Sequence, residues 1–169
     1  MVIEKELYEP VRRHLWNCFQ PPRFDYAYLA VTSDGNFPEE ILTHVPQYEE
    51  IIFAFLKKKN SPDITGFVEL VTKTEPKYAT FQFITVEIKN AVIKLEDIYQ
   101  AKRYADLFKA KHGFLISTKP IPTTIKRLCE KIPILYIAGT QYDKLRLAQF
   151  DVEKNKIIEE SWFPESPFK

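Results

Sequence analysis

PDITGFVELVTKTEPKYATFQFITVEIK, residues 62–89, holds two runs of strand-forming residues around a turn, and the rest of the architecture is arranged about it. Asp63–Lys73 and Thr80–Lys89 are rich in β-branched and aromatic residues, and the turn-forming Thr74-Glu75-Pro76-Lys77-Tyr78 separates them, so the segment predicts a β-hairpin. With the turn near Glu75 and Pro76, residues whose numbers sum to about 150 stand opposite each other. Asp63 then falls across from Glu87. Alternation sends Glu87 and Lys89 to one face and Ile84, Val86 and Ile88 to the other, where an apolar core would take them.

Working outward, Lys94–His112 predicts a helix with the apolar stripe Ile98, Ala101, Ala105 and Phe108, and Gly113 stands where a C-terminal cap belongs. A short strand, Phe114–Ser117, follows. Upstream, Ile3–Phe19 repeats apolar residues at helical spacing, with Pro10 as the point where it would kink, and Asp25–Thr32 predicts a first strand. Residues 38–59 predict helix in two pieces, PEEILTHV and QYEEIIFAFLKKK. Downstream come a helix over Thr123–Lys131, a buried strand over Ile134–Ile137, and a terminal hairpin pairing Leu145–Asp151 with Lys156–Trp162 around Glu153-Lys154-Asn155. The order describes one α/β domain over 1–169, a mixed central sheet flanked by helices, with chemistry expected at the sheet edge.

Composition narrows the function. The 169 residues carry 24 basic and 23 acidic side chains, a net charge of +1, so any nucleic-acid surface must be a local patch. Cys18 and Cys129 lack the paired spacing of a zinc site and predict a reducing setting. No run approaches the roughly 18 apolar residues of a membrane span, and the opening MVIEKELYEP has no apolar leader-like run, which predicts a cytoplasmic protein without a membrane partner. Glycine occurs at four positions, too few and too scattered to write a dinucleotide fingerprint or a P-loop. His14, His44 and His112 form no ligand-like spacing.

Two facing carboxylates in a partly buried cleft repel each other unless a divalent cation lies between them, and an oxygen site of this kind suits magnesium or manganese. A lysine two residues beyond one carboxylate can orient or help deprotonate the attacking water and stabilise charge building on phosphoryl oxygens. Pro62-Asp63, followed after a strand by Glu87-Ile88-Lys89, resembles the motif of the PD-(D/E)XK nuclease superfamily, over about residues 3–118. Gln100 and Tyr104, four apart in IYQAKRYADLF, are similar to the glutamine and tyrosine of RecB-like members, and EKELYEPVRRHL is similar to the first helix of archaeal Holliday-junction resolvases. The resemblance implies a restriction-endonuclease-like core, a metal held by Asp63, Glu87 and Ile88, and Lys89 serving the attacking water. It also implies Gln100 and Glu4 in the catalytic set, with Glu6 as the reserve for Glu4, and Tyr104 in support. The helical insertion over 38–59 and the hairpin over 145–163 lie outside it.

Each residue also has a plainer reading. Glu75-Pro76-Lys77 is a second E-x-K, so the tripeptide alone says little, and Asp63 also suits a turn. Tyr104 suits the core beside Phe108, and Glu4 suits the start of any helix. Lys94, Lys102 and Arg103, with Lys109 and Lys111, are candidate phosphate contacts or simply a solvated helix face. The leading expectation is a metal-dependent nuclease acting on DNA. Its rivals are a non-cutting DNA-binding module or nuclease-like subunit of a larger complex, and a structural partner without nucleic acid. A homodimer is compatible with all three.

Overall fold

The computed structural model describes residues 2–44 and 60–169, and within them an α/β architecture with a six-stranded mixed sheet. A 3₁₀ turn, Glu4–Leu7, runs into helix α1, Tyr8–Cys18. Pro10 is the third residue of α1, where a missing N–H costs no intrahelical bond, so the expected kink has no cause. Strand β1 is Tyr26–Val31, and a short helix α2, Glu39–Leu42, realises the first piece of the predicted insertion. The second piece lies outside the described residues.

The hairpin forms as β2, Ile64–Val71, and β3, Ala79–Lys89. Its pairs run from Ile64 opposite Val86 to Val71 opposite Ala79, the predicted register. Helix α3, Leu95–Phe108, crosses to β4, His112–Ser117, and α4, Thr123–Lys131, leads to β5, Arg146–Asp151, and the two-residue β6, Lys156–Ile157. The strands lie in sequence order, antiparallel from β1 to β3, parallel from β3 to β5, and antiparallel again at β6. The parallel steps need crossovers, which α3 and α4 supply.

Both faces of the sheet are covered, one by α1 and the other by α3. Val11, Leu15 and Phe19 are fully buried against Ile64, Ile84, Val86 and Ile88. Each such side chain contributes roughly 1.5–3 kcal/mol. On the opposite face Tyr104, Ala105 and Phe108 pack on Phe67 and Phe83, and Ile98 and Ala101 on Leu115 and Leu147. Gly66 of β2 sits opposite Leu29, where a Cβ would run into the Tyr28 carbonyl oxygen and lie 2.9 Å from Leu29 Cα.

Three expectations need correction. The long helix stops at Phe108, capped by Lys109 in the left-handed conformation (φ 46°), and Gly113 belongs to β4. Its glycine serves packing, since a Cβ there would lie 2.9 Å from Ala105 Cβ on α3. Ile134–Ile137 is not a full strand: it is a turn whose pairing is limited to one bridge, Tyr136 to Lys144, and the two main-chain bonds beside it, with Ile134, Leu135 and Ile137 buried and Tyr136 exposed. The second arm of the terminal hairpin is shorter than predicted, giving way after Ile157 to a 3₁₀ turn over Glu159–Ser161. No helix among the described residues is long and apolar enough to cross a membrane.

Candidate functional site

Asp63 sits immediately before β2 and is held from two sides. Its main-chain carbonyl accepts from Thr32 N (2.9 Å), and the Thr32 hydroxyl donates to the Pro62 carbonyl (2.8 Å), fixing the residue against the end of β1. Its Oδ2 accepts from Ile88 N (2.7 Å), fixing the side chain against the end of β3. The carboxylate is buried at 6% exposure, and Glu87 is buried at 3%. The alternation predicted for β3 explains this: Ile84, Val86 and Ile88 face α1, which turns Thr85, Glu87 and Lys89 toward α3.

Lys89 Nζ donates to Glu87 Oε1 at 2.9 Å and to Gln100 Oε1 at 3.3 Å. Gln100 reaches across from α3, so the helix face clamps the ammonium. Glu87 Oε2 is buried without a hydrogen-bond partner, as is Thr85 Oγ1 two residues down the same face. An orphaned carboxylate oxygen in so dry a place is costly, and a bound cation or water is one arrangement that would satisfy it.

Electrostatics follow from this crowding. Burial pushes the Asp63 carboxyl above its usual range, and the Ile88 N–H and the Tyr8 hydroxyl pull it back. Burial raises Glu87 further, with the Asp63 charge next in size and Lys89 opposing. For Lys89, burial works against the cation, but the hydrogen bond and charge of Glu87 outweigh it, and the ammonium is held above its ordinary value. Glu4 adds its charge to Asp63, Glu87 and Lys89, which places it beside the cluster, and its Oε2 accepts from Asn90 N (3.4 Å). Glu6 instead caps its own helix by accepting from Ile3 N (3.0 Å), so of the two candidate glutamates Glu4 is the one at the site.

The structure therefore brings together Asp63, Glu87, Lys89, Gln100, Glu4 and the main chain of Ile88. It does so at the ends of interior strands β2 and β3, second and third in an order of six, rather than at the sheet edge. Tyr104 is buried in the α3 core beside Phe108, and its hydroxyl accepts from Arg103 Nη2 (3.3 Å). Lys102 is paired with Asp106 (2.8 Å), while Lys94 and Arg103 are exposed. The decoy Glu75-Pro76-Lys77 lies in the exposed turn at the far end of the hairpin.

Tyr8 is the residue that sequence reasoning missed. It is buried in α1, and burial followed by the Asp63 charge pushes its hydroxyl well above the ordinary range. Local spacing carries no signal for it, because its approach to Asp63 depends on how α1 docks on the sheet.

No family model, no curated protein and no solved structure matches this chain.

Proposed function

We propose that this chain is a divalent-metal-dependent nuclease of the PD-(D/E)XK type, with a restriction-endonuclease-like core, that hydrolyses phosphodiester bonds of DNA. The observation that carries the reading is the buried pair Asp63 and Glu87 at one end of the hairpin, with the Lys89 ammonium 2.9 Å from Glu87 and the other Glu87 oxygen unpartnered. The mixed sheet between α1 and α3 supports the same family reading.

The donor set suits magnesium or manganese. Asp63, Glu87 and the main-chain carbonyl of Ile88 would hold the ion; the Ile88 N–H already points to Asp63, and in a strand the carbonyl of the same residue leaves on that side. Among the described residues no group of three or more His, Cys, Asp or Glu side chains is set to hold a metal. Magnesium does not need one, because it keeps several waters and is commonly bound by one or two carboxylates and substrate phosphate. When bound, the ion supplies Lewis-acid polarisation of the phosphoryl group and an acidified attacking water.

The chain's own groups do the rest. Ile88 N–H and the Tyr8 hydroxyl orient Asp63 and favour its charged form against the burial that opposes it. Lys89, kept protonated by Glu87 and steered by Gln100, presents a fixed positive charge where charge builds on the non-bridging oxygens, at no reorganisation cost during the reaction. Lys94 and Arg103 lie exposed at and along α3 for backbone phosphates, a local patch on a chain of net charge +1. The unpaired thiols of Cys18 and Cys129 suit a cytoplasmic setting.

The test is cleavage of labelled DNA and RNA substrates with magnesium, manganese or chelator, comparing wild type with Glu87→Ala and Lys89→Ala. Metal-dependent products from the wild type alone are expected. Products that persist in Glu87→Ala would refute the assignment, and binding without any cutting by the wild type would favour a non-cutting DNA-binding module.

A further inference from the structure

Around Gln100, helix α3 carries two groups that the hydrolytic reading leaves unused, Glu96 and Tyr99. Glu96, Tyr99, Gln100 and Arg103 share one face at three- and four-residue spacing. Together with Asn60, which stands three residues before Asp63, they line an open cavity of about 530 Å³. That falls within the ~300–1,000 Å³ range of small-ligand sites. The cavity adjoins the carboxylate cluster directly, because Gln100 belongs to both: its Oε1 takes the Lys89 ammonium.

The chemistry of this lining is specific. Tyr99 leaves 53% of its surface exposed. Other exposed tyrosines, such as Tyr78 and Tyr142, lie in turns and bends far from Gln100 along the chain. What sets Tyr99 apart is a cavity wall linked to the Lys89 ammonium through one glutamine, Gln100. Arg103 is pre-oriented, its guanidinium lying 5.0 Å over the Tyr104 ring and bonded to the Tyr104 hydroxyl. An aromatic face, a steered guanidinium and the amide and carboxylate groups of Asn60 and Glu96 match the three parts of a nucleotide: base face, phosphate and base edge. A base inside a duplex is stacked on its neighbours and cannot offer its face, whereas an unpaired one can.

Resting on the nuclease reading, we propose that this α3 cavity is a subsite for one unpaired nucleotide beside the scissile bond, so that the substrate is single-stranded DNA or DNA splayed into single strands at the cut. Tyr99 stacks on the base and Arg103 holds the adjoining phosphate.

The experiment is fluorescence anisotropy with a labelled single-stranded DNA oligonucleotide and its duplex, in chelator to prevent cutting, for wild type, Tyr99→Ala, Tyr99→Phe and Arg103→Ala. Stacking contributes about 1–3 kcal/mol per base, so Tyr99→Ala should weaken single-strand binding by roughly 5- to 150-fold. Duplex binding should be unchanged, and Tyr99→Phe should keep wild-type affinity. Arg103→Ala should reduce the salt dependence by about one phosphate contact. Equal losses on single strand and duplex, or no loss in Tyr99→Ala, would overturn the subsite. Cleavage is scored separately with magnesium: a wild type that never cuts overturns the nuclease reading, while unselective binding by a protein that does cut overturns the subsite alone.

Discussion

Acidification to pH 5 should cost this fold stability through one residue at the end of the sheet remote from the carboxylates. His112 opens β4, is 8% exposed, and packs edge-on against Phe19 and Phe24, with ring centroids 5.1 and 5.6 Å away. Its Nε2 meets Gln82 Oε1 at 2.9 Å, while Nδ1 has no partner. Burial first, then the charges of Arg146 and Lys111, hold its pKa down to about 3 from 6.5. A histidine depressed in this way is neutral in the fold but protonates freely when unfolded. Its contribution is complete above pH 6.5 and is lost progressively as pH falls toward 3. At pH 5 the unfolded imidazole is mostly protonated and the folded one is not, a difference of about 1.5 pH units, or roughly 2 kcal/mol. For a chain of this length that lowers Tm by about 4–8 °C. The carboxylates titrate over an overlapping range with the opposite sign, so the measurement must be a difference: thermal melts of wild type and His112→Phe at pH 7 and pH 5. Phenylalanine is close in shape and leaves Gln82 free to meet water at its half-buried position. The variant should lose markedly less Tm than wild type between the two pH values. Parallel losses would show that His112 is not the source of the acid sensitivity.

Glu87→Gln should abolish cutting yet melt at a higher temperature than the metal-free wild type at neutral pH. A carboxyl whose folded pKa is raised destabilises the fold once pH exceeds its ordinary 4.5, and the advantage of glutamine should vanish below that. Magnesium or manganese should raise the Tm of the wild type and leave that of Glu87→Gln nearly unchanged, a comparison scanning fluorimetry makes directly. Lys89→Ala should reduce kcat by about 10²–10³-fold with the far-ultraviolet circular dichroism intact, the usual loss for one donor to a developing oxyanion. Gly66→Ala should destabilise by more than about 2 kcal/mol in urea titrations, because the added methyl meets the backbone of β1, which cannot yield as a side chain would.

What could be read from the sequence was set by period. The two-residue repeat of β3 fixed both the register with β2 and the face on which Glu87 and Lys89 emerge, since a slip of one residue would have sent Ile84, Val86 and Ile88 to the wrong side. Helix α4 was legible because Thr123 follows Pro122 and Lys131 ends the amphipathic run. The end of α3 was not: glycine is the expected left-handed cap, and Lys109 takes that conformation instead, leaving Gly113 for a close approach to Ala105. The Ile134–Ile137 run misled for another reason, since buried apolar residues have the composition of a strand even where pairing stops at a single bridge. At the site, residues tied by local spacing were found, whereas the turn of Tyr8 toward Asp63 depends on how α1 docks across the sheet.

The turn over residues 72–78 is exposed throughout and closes the hairpin at the end away from Asp63 and Glu87. At about 3.3 Å per residue, the eight residues of β2 put it some 25 Å from the carboxylates. A change of length there renumbers the pairs without altering which side chains meet, as the ladder is anchored by the apolar residues rather than by the loop. The molecule therefore offers an experimental handle: once Cys18 and Cys129 are replaced, a cysteine introduced at Lys73 or Lys77 for a dye would test the proposed DNA binding by energy transfer while leaving the Asp63–Glu87 end undisturbed.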